Sequence, residues 1–267
     1  MSEPSPPAVP ERLVAAGADI VGIRAANPGP LSLSGTNSWI VGRDPAWLVD
    51  PGPDLAEHLD ALDAELAPRG GLGGIAATHD HVDHVEALRA MRDRHPGVPV
   101  AAARGEVDVV LTDGARFGPL EALATPGHAP DHLAFAVGDA VLTGDTVLGE
   151  GSVFIAPGPG ALRGYLEALR RLAARRPRVL LPGHGPVVLD PEAKLAQYIA
   201  HRLERERALV AALAAGRRSV DELLDAAWAD APAQLRPVAA ISLAAHLGKL
   251  EEEGRLPGGV ERPELPF

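Results

Sequence analysis

A chain of 267 residues, 46% hydrophobic and 23% charged, has room for one large domain or a medium one with a small companion. The absence of cysteine excludes disulfides and thiolate metal sites, so any transition metal must sit on His, Asp or Glu. A formal net charge of -11 and an aromatic content of 3% disfavour non-specific attraction to nucleic acid or anionic membrane, and leave few platforms for stacking bases.

Residues 1–19, with four prolines in the first ten, read as a partly mobile N-terminal segment. No basic region followed by an apolar stretch of about 7–15 residues opens the chain. No run approaches the ~20 apolar residues of a membrane helix. With no cysteine to oxidise, the expectation is a soluble, cytoplasmic protein.

Residues 20–190 alternate short apolar runs with amphipathic segments. Strands are expected at 38–41, 47–49, 75–78, 98–102, 107–111, 133–137, 141–143 and 179–181, most of them bounded by Gly, Pro or Asp. Helical periodicity marks 54–66, 83–94 and 161–174; in the last, Leu162, Leu166, Leu169 and Ala173 share a face. Mixed strands and helices imply a layered α/β domain. The pattern changes at 191–267. A long helix is expected at 191–215, with Leu195, Ile199, Leu203, Val210 and Leu213 along one stripe. Ser219 and Glu222 form a capping-box pattern that opens a second helix to about Trp228. A third helix at 237–253 ends at Gly254, and 255–260 has the length of a small hairpin. Three helices and a hairpin make a winged-helix-like module.

The chemistry concentrates in Thr78-His79-Asp80-His81-Val82-Asp83-His84, directly after an apolar run. In extended chain, side chains two apart point the same way, so His79 and His81 can reach one metal. Asp83 and His84 open the next helix and can turn toward a second. Three further apolar runs lead into a glycine and a donor: Pro126-Gly127-His128, Thr143-Gly144-Asp145 and Pro182-Gly183-His184. Glycine there lets the backbone turn and approach closely. Five histidines and two aspartates suffice for two divalent cations, with one carboxylate left to bridge. Such a pair supplies hydroxide at neutral pH by lowering the pKa of bound water from 15.7 to about 7. His58, His95, His201 and His246 lie in or beside helices without a partner motif and read as structural. His132 is open to two roles, general acid for the leaving group or a group that orients the site. Asp83 is a candidate for proton handling as well as for metal. Asp80, between two donors, is expected to face solvent or hold a neighbouring histidine.

These residues resemble the metallo-beta-lactamase-fold superfamily, whose signature is His-x-His-x-Asp-His followed by separated His, Asp and His. The resemblance spans residues 20–188 and implies a four-layer αββα sandwich with metals at one edge. It implies one metal on His79, His81 and His128 and another on Asp83, His84 and His184, with Asp145 bridging. Gly35-Thr36-Asn37-Ser38, the stretch from Thr125 to His132, Tyr198-Ile199-Ala200-His201-Arg202 and the C-terminal Leu250-Glu251-Glu252-Glu253-Gly254-Arg255 resemble the beta-lactamase-like protein 2 group. That group includes an endoribonuclease acting on single-stranded RNA, and related fungal enzymes release polyketides as thioesterases. The cysteine ligand of many true beta-lactamases has no counterpart here, so beta-lactam hydrolysis is not implied.

The expected function is therefore that of a dinuclear metal-dependent hydrolase with a metal-bound hydroxide as nucleophile. Zinc is the preferred ion, and manganese or iron suit the same donors. Phosphodiester cleavage of single-stranded RNA would explain a metal pair and a winged-helix surface. Against it, Arg202, Arg205, Arg207, Arg217 and Arg218 interleave with Glu204, Glu206, Asp221 and Glu222, which is the pattern of a solvated helix face. Hydrolysis of a small-molecule thioester is the alternative and suits an acidic surface better. A non-catalytic binding module ranks last, because every donor position is filled. A homo-oligomer is compatible with all three.

Overall fold

The computed structural model describes residues 11–14 and 19–265. The prolines of the first ten residues lie outside the described residues. Contacts within the chain divide it into two compact units. The first takes the described residues of 1–124, 133–151 and 177–189, and the second those of 125–132, 152–176 and 190–267.

In the first unit, seven strands run in the order β1 (Glu11–Val14), β2 (Ile20–Arg24), β3 (Asn37–Val41), β4 (Ala46–Val49), β5 (Leu72–Ala76), β6 (Val100–Ala102) and β7 (Val109–Val110). Pairing is antiparallel from β1 to β4 and parallel from β4 to β7. The parallel crossovers carry the helices α1 (Ala56–Leu66), α2 (Val82–Val85) and α3 (Leu88–Arg94). A second sheet is ordered β12 (Val179–Pro182), β11 (Ala140–Gly144), β10 (Leu133–Val137), β9 (Leu120–Ala124) and β8 (Arg116–Phe117). Only β11 and β12 are parallel in it.

Period-two alternation places the core. Trp39, Val41 and Val49 face one way and pack with Phe135, Leu142 and Leu181 between the sheets. Ile40, Leu48 and Ile75 face the other way, against Leu59, Leu62 and Leu66 of α1 and Met91 of α3. The first sheet is thus apolar on both faces, which is why its central strands read as continuous apolar runs.

Residues 11–14, within the segment 1–19, pair with β2, Leu13 opposite Gly22. One expectation needs correction in this unit. The helix expected at 83–94 is broken in two, because the turn after β4 takes its backbone groups. Gly52 N donates to His84 O at 3.1 Å, and Ala87 N donates to Gly52 O at 3.0 Å. Neither group is then available to the helix ladder.

The second unit holds α4 (Ala161–Ala174), α5 (Pro191–Ala214), α6 (Val220–Ala227) and α7 (Arg236–Glu252). Leu209 and Leu213 of α5, Leu223 and Leu224 of α6, and Leu243, Leu247 and Leu250 of α7 share a core with Trp228. Both bonds of the capping box are present at Ser219 and Glu222. The hairpin expected at 255–260 is not there. No strand forms, and residues 258–259 make a turn, after which Glu261 N donates to Arg218 O at 2.9 Å. Pro257 offers no N–H to a ladder, and Gly258-Gly259 brings no side chain to pack one.

Among the described residues, no helix is long and apolar enough to cross a membrane.

Candidate metal centre

Six of the donors expected from sequence lie in the first unit, at the ends of β5, β11 and β12 and in α2. His79, His84 and Asp145 offer ligand atoms within 4.8 Å of one another, and so do Asp83, His84 and His184. The second group and Asp145 form a cage. Its edges are His84 Nε2 to His184 Nε2 at 3.2 Å, and His184 Nε2 to Asp83 Oδ2 at 3.3 Å and to Asp145 Oδ2 at 3.4 Å. His84 Nε2 lies 3.5 Å from Asp145 Oδ1 and 3.7 Å from Asp83 Oδ2. Four donors about 2.0–2.1 Å from a central ion at tetrahedral angles stand roughly 3.4 Å apart. The residues therefore fit a zinc-sized cation.

The tautomers fit as well. Asp50 Oδ2 lies 2.9 Å from His84 Nδ1, and a carboxylate can only accept, so Nδ1 carries a proton and Nε2, once deprotonated, turns its lone pair into the cage. Gly35 O does the same for His184 Nδ1 at 3.3 Å. His79 Nδ1 lies 2.9 Å from Thr78 Oγ1. That hydroxyl donates its one proton to Asp50 at 2.8 Å and accepts from the histidine. The rings of His79 and His81 stand 4.4 Å apart, as period two requires. Gly183 lets the backbone reach this cage: a Cβ there would lie 2.6 Å from Asp145 Oδ1 and 2.7 Å from His84 Cε1.

Burial opposes a charge on His84, but Asp145, Asp50 and Asp83 outweigh it and raise its pKa to about 9. His184 is raised against the same penalty, chiefly by Asp145. On the half-buried His81 desolvation wins and the pKa falls. Carboxylates that hold a proton this firmly in a buried site also favour a cation.

Asp50 and Asn27, which support the cluster, were not singled out from sequence, and Thr36 and Asn37 were noted only as part of a motif. Asp50, buried and at φ 54°, accepts from Thr78 N at 2.7 Å and braces both Thr78 and His84. Its signal was available, since Val49-Asp50-Pro51-Gly52 is another apolar run leading into a carboxylate and a glycine. Thr36 Oγ1 donates to Asp83 Oδ2 at 2.9 Å and accepts from Asn27 Nδ2 at 3.0 Å. Asn37 Nδ2 donates to Pro182 O at 3.0 Å and Gly185 O at 2.9 Å, which clamps the turn of His184. Asp80 is paired with Arg104 at 2.7 Å rather than with a histidine.

His128 and His132 belong to the second unit. His128 Nδ1 lies 3.3 Å from Phe154 O, so it donates there and leaves Nε2 its lone pair. Its ring packs on Phe154 with centroids 4.5 Å apart. His132 Nδ1 bonds Thr125 Oγ1 at 2.9 Å, and its ring stands 6.2 Å from that of His128. Of the histidines read as structural, His58 bonds Ser38 Oγ at 2.9 Å and His95 bonds Asp63 at 2.7 Å. His201 accepts from Arg205 Nε at 3.1 Å, and His246 is wholly buried.

Comparison with known proteins agrees with this architecture. Residues 47–148 match the Beta-lactamase superfamily domain, and 219–256 match the Beta-lactamase associated winged helix domain. The chain belongs to the metallo-beta-lactamase superfamily. A Beta-lactamase-like protein 2 homolog from Caenorhabditis elegans is 30% identical over 250 residues, 85% of this chain and 82% of the relative. An Atrochrysone carboxyl ACP thioesterase from Aspergillus chevalieri is 32% identical over 213 residues, 74% of this chain and 67% of that protein. The crystal structure of a Beta-lactamase domain protein from Burkholderia ambifaria has the same fold, with a TM-score of 0.78 at 20% identity over 97% of this chain and 94% of that one.

Proposed function

We propose that the protein is a dinuclear metallohydrolase that cleaves thioesters, with residues 20–190 as its catalytic domain and 191–267 as a winged-helix-like companion. The observation that carries the hydrolase reading is the four-donor cage of Asp83, His84, Asp145 and His184, whose edges of 3.2–3.7 Å suit tetrahedral coordination. His79 and His81 would hold the second cation, with Asp145 shared and His128 assigned by its place in the motif. Zinc suits this nitrogen and oxygen set best. When bound, such a pair supplies Lewis acidity toward a carbonyl and a water acidified to a pKa of about 7.

The chain's own residues supply position and proton handling. Asn27 and Thr36 aim Asp83, whose side chain is 34% exposed while that of Asp145 is only 8% exposed. Asp83 is therefore the carboxylate with access to arriving solvent and the candidate to take a proton from the attacking water. His132, tied to Thr125 through Nδ1, has Nε2 to offer the leaving group or serves to fix its own turn. Hydrolysis forms a C–O bond, breaks the C–S bond and releases a carboxylic acid and a thiol. A thiol of pKa about 8.5 leaves with little help from an acid.

A thioester is favoured over RNA on two grounds. One relative is named a thioesterase for an acyl-carrier substrate. Several cations of the C-terminal region are also paired with carboxylates: Arg205 with Asp230, Arg236 with Asp221 and Asp225, Lys249 with Glu206 and Glu253, and Arg262 with Glu251. Neutralised pairs make a poor track for phosphates. The test is a side-by-side assay of zinc-loaded protein on S-acyl pantetheine thioesters and on single-stranded RNA. Thiol release with intact RNA is expected, and cleavage of RNA alone would refute the thioesterase reading.

A further inference from the structure

The motif Tyr198-Ile199-Ala200-His201-Arg202 in α5 has no part in the reaction described so far. Arg202 is only 2% exposed, its Nε makes no hydrogen bond, and among the described residues no carboxylate pairs with it. A buried guanidinium without a counter-ion is costly. Its contacts include a backbone carbonyl and one ring. Its Nη2 donates to Val153 O, and its guanidinium carbon lies 5.6 Å from the centroid of the Tyr165 ring.

Both contacts lead to His128. Val153 precedes Phe154, whose carbonyl fixes the tautomer of His128 and whose ring packs on the imidazole. Tyr165 packs on Gly127 so closely that a Cβ there would meet Tyr165 Cβ at 2.6 Å. Ala156 N donates to Gly127 O at 2.9 Å and closes the second side of the same turn. From α7, Ser242 Oγ accepts from Ile155 N at 3.3 Å. Segment 153–156 is thus gripped by one side chain from each of two C-terminal helices, and it grips His128 in turn.

We propose that Arg202 and Ser242 are positioning residues that set the tautomer and direction of His128, so that the C-terminal helices tune one of the two metal positions and not the other. The inference rests on the proposed dinuclear reading, in which His128 is a ligand. Groups that orient a ligand are worth about 10- to 100-fold in metal affinity.

The experiment uses the full chain, loaded with zinc and, separately, with cobalt as a spectroscopic probe. Wild type, Arg202→Met, Arg202→Lys, Ser242→Ala and Ser242→Thr are compared by metal titration, cobalt d–d absorption and circular dichroism. Wild type should bind two equivalents. Arg202→Met should weaken one equivalent about 10- to 100-fold with an altered cobalt spectrum and leave the other unchanged. Ser242→Ala should act the same way more weakly, and Ser242→Thr should restore the wild-type titration. A loosened fold would weaken both equivalents together, and that outcome overturns the inference. Two unchanged equivalents in folded Arg202→Met and Ser242→Ala also overturn it while sparing the dinuclear reading. If Arg202→Met does not fold, Ser242→Ala decides alone. Wild type without metal takes down the dinuclear reading itself.

Discussion

Two pairs of histidines, one pair in each unit, sit in opposite fields. In the first, His84 and His184 face Asp50, Asp83 and Asp145, and their pKa values rise despite burial. In the second, burial is reinforced by cations. Desolvation, then Arg202, Lys249, His201 and Arg205, push His246 down to about 3. Desolvation, Arg202 and Arg205 push His201 to about 4. The same side chain is thus prepared for a cation in one place and kept neutral in the other. Burying imidazoles does not make a metal site; the charges around them do.

The comparison breaks most directly at the carboxylates. Asp145→Ala should lose metal affinity by more than the ~100-fold typical of an orienting group, with loss of hydrolysis, measured by equilibrium dialysis and thiol release. Metal content and activity equal to wild type would remove the ligand assignment. Asp50→Asn keeps the shape and removes the charge that fixes His84 and Thr78, so affinity should fall about 10- to 100-fold with the fold intact. Thr36→Val removes one hydrogen bond to a carboxylate, and about 10-fold is expected, also by dialysis.

Protons sharpen the contrast. With a pKa of about 9, metal-free His84 is protonated at pH 7, so binding must displace that proton. Calorimetry in buffers of different ionisation enthalpy should show proton release, and affinity should fall as pH drops below about 9. The last test belongs to the second unit. His246 holds a pKa of about 3 when folded against 6.5 as a free side chain. Below pH 6.5 the unfolded chain binds more protons, so stability falls as pH falls, by at most about 1.4 kcal/mol per pH unit. His246→Leu should flatten this dependence in urea unfolding between pH 7 and 5. An unchanged slope would show that His246 is not the group responsible.

The donor cluster of the first unit was legible where its signal is local. His79 and His81 alternate after a strand, and Asp145 and His184 each follow an apolar run and a glycine. What stayed hidden acts across distance: Asp50 meets Thr78 28 positions away, and Asn37 meets Pro182 at 145. No window of sequence reports such pairings. The break after His84 escaped for the same reason, since its cause is Gly52 rather than any residue in the helix. Strands of two residues such as β7 and β8 are too short to show a period, and β1 is held by its partner more than by its own pattern. The bounds of the C-terminal helices were readable nearly to the residue because capping and periodicity are local, but Leu203, expected on the stripe of α5, is exposed, and Tyr198 and Arg202 are buried in its place. The hairpin failed where Pro257 and two glycines took the place of a strand.

The two hydrogen bonds that join Gly52 to His84 and Ala87 tie the length of one turn to the aim of an imidazole. Residues 50–52 act as a spacer of fixed gauge between the strand end and the imidazole. Loop exchange that lengthens them would swing His84 out of the donor cluster even with every donor retained. The turn at Gly97 is different, since its φ of +84° favours glycine but nothing lies within 4 Å of where a Cβ would stand, and it has room to lengthen. Variation between related enzymes should therefore accumulate at the second turn and spare the first.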